Sequence, residues 1–142
     1  MSGLIERFYA APNRIQDGVL FLLLEAAIYL AISFFDLYHG NYVYTFSAGV
    51  SFLLEMAIIV SIILCGLGLL YGMKAGWIGS VILSVILMAI GIIFMVHNDC
   101  YTLTLSGLFY FIFGILTFIE LMRKTFRRHC GLAKPKESTH KE

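Results

Sequence analysis

Two acids sit where acids are rare. Glu25 and Glu55 lie within long apolar runs, GVLFLLLEAAIYLAISFFDL at 18–37 and TFSAGVSFLLEMAIIVSIILCGLGLL at 45–70. A charged carboxylate in a bilayer-spanning helix costs ~2.5–3.5 kcal/mol on insertion scales, so such a residue is carried protonated, paired or facing water. No basic residue lies deep enough in any apolar run to pair with either acid. In antiparallel neighbouring helices the two would stand within several ångströms of the same height. Tyr29, Ile32, Asp36 and Gly18 share the helical face of Glu25, and that face is expected to turn away from lipid. The chemistry on offer, with Tyr29 beside Glu25, is proton exchange or cation binding. The structural alternative is a protonated carboxyl bonded to a neighbouring helix, or a contact with a partner subunit.

A second group flanks the apolar runs. Asp36 and His39 end the first, and His97, Asp99 and Cys100 follow the third. If the two turns meet, the imidazoles and carboxylates form a zinc or copper site, although an ordinary wet turn has the same composition. Cys65, Cys100 and Cys130 show no paired metal-ligand spacing. The topology below separates them, which argues against an intrachain disulfide.

Motifs of established enzyme chemistry are missing. The chain has no phosphate-binding glycine loop, no nucleophile elbow, no HExxH and no haem CxxCH. It is expected to be non-catalytic and to need no cofactor. Nucleic-acid binding requires a basic folded surface, and only a short basic tail is present.

These residues need elements to hold them, and the composition says which. Of 142 residues, 60% are hydrophobic and 13% charged, with a mean hydropathy of +0.88. Soluble domains run nearer ~45–50% and ~25%. The run at 77–96 has no charge and no proline and is long enough for a helix to cross a hydrocarbon core of ~30 Å. Comparable runs at 18–37, 45–70 and 103–122 make four spans. The expected class is an all-α integral membrane protein, a four-helix bundle at 18–122 between an N-terminal tail at 1–17 and a basic tail at 123–142. In the N-terminal segment, Leu4, Ile5, Phe8 and Tyr9 predict a short interfacial helix ended by Pro12.

Charge sets the orientation. Arg7 and Arg14 precede the first span, Lys74 lies between the second and third, and the remaining seven of the ten basic residues follow the fourth. Basic residues near spans favour the cytoplasmic side, so both termini and the Lys74 turn are expected there, in a multi-pass protein of the cell membrane. Arg123, Lys124, Arg127 and Arg128 are placed to hold anionic lipid headgroups, and Glu120 is spaced to pair with Lys124 at i+4.

Small residues predict how the helices meet. Gly68 and Gly72, then Gly76, Ser80 and Ser84, recur at four-residue spacing, which lets membrane helices approach closely. His39…Tyr44-Thr45…Gly49 recurs as His97…Tyr101-Thr102…Gly107, the pattern of two related hairpins with parallel topology. In having four spans with an acid in the first, the chain resembles the small multidrug resistance transporters. The resemblance extends to topology and Glu25 alone. That family places a tryptophan inside a glycine-rich third span, whereas Trp77 lies at the interface, so none of its binding residues carries over. The first expectation is a homo-oligomeric or accessory subunit in the lipid bilayer, acting through helix packing. The alternative is a small proton- or cation-coupled transporter using Glu25 and Glu55.

Overall fold

A computed structural model describes residues 2–39, 48–97 and 101–132, without the side chains at 2, 36, 39, 48–51, 97 and 101–104. Six helices account for nearly all of it: α1 (Ser2–Ala10), α2 (Asn13–His39), α3 (Ala48–Leu70), α4 (Lys74–His97), α5 (Tyr101–Leu121) and α6 (Lys124–His129). Three are long and apolar enough to cross a membrane, over Asn13–Phe35, Phe52–Leu70 and Lys74–Val96, and Leu105–Leu121 is a shorter apolar helix.

The distribution of side chains is inverted relative to a water-soluble bundle. Leu24, Leu53, Leu64, Ile82, Ile93 and Leu116 point outward, while Glu25, Ser33, Ser80, Ser84, Ser106 and Thr117 are buried. Where lipid is the solvent, outward leucines cost nothing and every polar group must find its place inside. The chain is therefore a membrane-embedded helical protein.

The helix ends follow from local chemistry. Pro12 separates α1 from α2, and its carbonyl accepts from Ile15 and Gln16 at 2.8 and 3.1 Å to open α2. This start lies five residues before the boundary read from hydropathy, because the polar turn Asn13–Asp17 is helical too. The Gln16 side chain donates to the carbonyl of Ala11 at 2.7 Å, where α1 has ended. At the far end of α3, Gly72 takes φ +68, Gly72 N donates to Leu69 O and Met73 N donates to Gly68 O. This double closure satisfies the last carbonyls and requires the left-handed residue that glycine supplies.

Neighbours in sequence are neighbours in space. α2 lies on α3, α3 on α4 and α4, most extensively, on α5, whereas α2 and α5 touch only lightly. Glycines set the close approaches. A Cβ on Gly76 would lie 2.5 Å from the carbonyl carbon of Gly68, and one on Gly91 would lie 2.6 Å from the Gly107 oxygen. Ser80 and Ser84 return their hydroxyls to the carbonyls of Gly76 and Ser80, at 2.7 and 2.6 Å, and so add no unsatisfied donor to a buried face. The Trp77 indole donates to the Leu121 carbonyl at 2.8 Å, tying the start of α4 to the end of α5.

The end of the bundle that carries Lys74 is covered by the short helices. Arg7 of α1 stands 4.6 Å over the Tyr71 ring. Arg123 is extended (φ −62, ψ 142) and separates α5 from α6. That break changes one expectation: Glu120 pairs with Arg123 at 2.8 Å, since Lys124 has left the register of α5. α6 folds back under the bundle, with Phe126 buried against Gly18 and His129 Nε2 3.4 Å from the Leu70 oxygen. Burial pushes the Cys130 thiol up.

Candidate functional site

The thin seam between α2 and α5 is where the polar groups collect. From α2 come Glu25, Tyr29 and Ser33, one helical turn apart and all fully buried. From α5 come Ser106, Tyr110, Phe113 and Thr117, spaced four, three and four along one face. Ring pairs hold the seam together. Tyr29 stacks on Tyr110 at 4.5 Å and meets Phe113 edge-on at 6.0 Å, and Phe21 meets Phe113 at 5.8 Å.

Glu25 is at the centre. Thr117 Oγ1 donates to Glu25 Oε2 at 2.7 Å. The Tyr29 hydroxyl is near enough to act on the carboxyl. Yet Glu25 Oε1, Tyr29 Oη and Ser33 Oγ reach hydrogen-bond geometry with no described group. Buried polar atoms are nearly always partnered, so three orphans in a row on one helix call for explanation. With 0% of its surface exposed, Glu25 is enclosed by its own chain. Chemically, the arrangement is a carboxyl with one oxygen fixed and one oxygen open, flanked by hydroxyls able to donate or accept.

The remaining sequence candidates fall elsewhere. Glu55 is half-buried on α3, and the groups acting on the Glu25 carboxyl are Thr117 and Tyr29. Asp36 and His39 are in the last turn of α2 and His97 ends α4, but their side chains lie outside the described residues, as do Asp99 and Cys100 entirely. So do the connection at 40–47 and with it much of the hairpin repeat. Gly68, Gly76, Ser80 and Ser84 are spent on contacts within the chain, and Gly72 forms the turn after α3, where its added Cβ would meet the His129 oxygen at 2.9 Å. Arg123, Lys124, Arg127 and Arg128 are exposed around α6.

Thr117, Ser33, Tyr110 and Phe126 were not singled out in the sequence. Ser33 was within reach, lying eight residues from Glu25 on the same face. Thr117 carried a weaker signal, as the polar residue of an aromatic face. Phe126 carried none, because its role depends on α6 folding back.

No family model matches the chain, and neither a curated protein nor a solved structure matches it. Fold and site together define a class, a membrane-embedded helical bundle with a buried carboxyl on the light contact between α2 and α5.

Proposed function

We infer that this protein is a small multi-pass transporter that binds and passes protons at Glu25. One observation carries the reading: a carboxyl wholly enclosed by its own chain, with one oxygen and two neighbouring hydroxyls unpartnered among the described residues. Intramembrane acids that face a bundle interior mark proton and ion pathways. A proton is favoured over a divalent cation because hard cations take six or more oxygen ligands, whereas the groups acting on Glu25 are Thr117 and Tyr29. The activity is transport without covalent catalysis and without a cofactor.

The reading as an accessory subunit has less support. There the acids and the small-residue faces would meet a partner, but Glu25 and the stripe formed by Gly76, Ser80 and Ser84 are buried inside one copy of the chain. In this reading both termini and Lys74 face the cytoplasmic side of a cell membrane, which the bias of basic residues supports, and the four cations on and beside α6 meet anionic headgroups at ~1 kcal/mol each.

The test is flux in proteoliposomes under an imposed pH gradient, read with an internal pH dye. Glu25→Gln is expected to reduce the rate at least tenfold while helicity and elution volume stay those of the wild type. A Gln variant that carries full flux overturns the reading, and one that loses a co-purifying partner as well restores the accessory-subunit alternative.

A further inference from the structure

The two sides of Glu25 are closed in different ways. Toward the end opposite Lys74, the next turn of α2 carries Tyr29, fully buried and stacked face-on against Tyr110 of α5. Toward the Lys74 end there is a small void of about 10 Å³ lined by Thr117, Glu120, Gly18 and Phe126. The surface this void exposes is apolar, a wall that gives a water no partner while the Phe126 ring is in place. Thr117 and Glu120 are three apart on α5 and so share a face. Thr117 already reaches Glu25 at 2.7 Å. Glu120 is partly exposed and paired with Arg123 at 2.8 Å, so it opens onto the aqueous side. The Phe126 ring, carried by α6, lines the same void and is seated on Gly18, which has no side chain to displace it.

We propose that Glu25 exchanges protons with the Lys74 side through Glu120 and Thr117, and that the Phe126 ring is the removable closure of this route. The inference rests on the proton-binding reading of Glu25 and adds the side and the residues. Glu120 collects a proton from water, with Arg123 holding its carboxylate. When Phe126 withdraws, water enters beside Thr117 and passes the proton to the Thr117–Glu25 pair. Tyr29 and Tyr110 keep the opposite route shut in this conformation. Gly18 serves the closure by giving the ring a seat flush with the α2 backbone.

The test is one-sided modification of Glu25 in the full-length protein. It is reconstituted in vesicles whose orientation is scored by protease access to the C-terminal tail. A membrane-impermeant, water-soluble carbodiimide is applied from either side, and the adduct on the Glu25 peptide is followed by mass spectrometry. Phe126→Ala is expected to speed modification at least tenfold from the Lys74 side and not at all from the other, with Phe126→Leu close to wild type. An unchanged rate in Phe126→Ala, or an equal gain from both sides, overturns the proposal. Should Phe126→Ala fail to fold, Glu120→Gln decides: the route predicts at least a fivefold loss of proton flux with Glu25 modification unchanged, and wild-type flux overturns it. The two ideas fail separately. Full flux in Glu25→Gln with one-sided opening in Phe126→Ala removes the transport reading and leaves the access route standing.

Discussion

Removing the Thr117 hydroxyl without changing its shape is the sharpest perturbation of the seam. Thr117→Val keeps the β-branched outline and deletes the only donor at hydrogen-bond distance from the Glu25 carboxyl among the described residues. Oε1 already lacks such a partner, so the variant leaves the carboxyl with the influence of the Tyr29 hydroxyl alone. In water-soluble proteins stranding a buried polar group costs about 1–3 kcal/mol. Between membrane helices the same bond averages ~0.6 and reaches ~1.7 kcal/mol, because the unfolded chain in lipid also finds partners. Full burial of Glu25 puts this site at the upper end, ~1–1.7 kcal/mol, or roughly a 5- to 20-fold change in the folding equilibrium. The assay is reversible unfolding by SDS in mixed micelles, followed by helicity, on a double-mutant cycle of Thr117→Val with Glu25→Met. A coupling energy within the ~0.3–0.5 kcal/mol scatter of independent sites would refute the claim that this bond closes α2 on α5.

Other expectations use the same samples. Gly91→Ala forces a Cβ against the backbone of α5, where nothing can move aside, and should cost about 1–3 kcal/mol. Gly79→Ala, whose Cβ meets only the Cys65 sulfur at 3.2 Å, should cost far less in the same melt. Trp77→Phe loses the bond to the Leu121 carbonyl and should lower stability by about 1 kcal/mol. Cys130 should alkylate much more slowly than in the SDS-unfolded chain. Its thiol is raised by burial, so docking of α6 is fully favoured below the ordinary thiol value of ~8.5 and is lost as pH rises through the folded value. A maleimide rate that climbs no more steeply with pH than in the unfolded chain would contradict that burial.

The helices were legible in the sequence because lipid imposes one rule at a time: a run at 77–96 without a charge has one comfortable state. The turn at Lys74 was legible too, but Gly72, expected to pack helices together, instead closes α3 as its left-handed residue. The seam was legible on one side only. Glu25 and Tyr29 announce themselves as polar groups in apolar surroundings, and the face they share is the face that is buried. Their partner helix was not readable, because hydropathy says that a residue is inside and not which neighbour it meets. The pairing of Glu120 shows the limit most clearly. The i+4 rule selects Lys124, yet the chain leaves the helix at Arg123 and the nearer cation takes the carboxylate. Spacing rules hold only while the helix does.

Why the acid sits between α2 and α5 follows from how the other seams are made. The α3–α4 and α4–α5 contacts are built on glycine against glycine, where one added carbon would already overlap backbone. No carboxyl fits at such a contact. The α2–α5 seam uses Tyr29, Tyr110, Phe21 and Phe113 instead, and stacked or edge-on rings at 4.5–6.0 Å hold two helices further apart than glycines do. That spacing gives an unbranched acid room to extend from α2 to Thr117. It also leaves this seam with less close backbone contact than the glycine-built ones, so under the proton-binding reading it is the seam to open and close while those stay fixed.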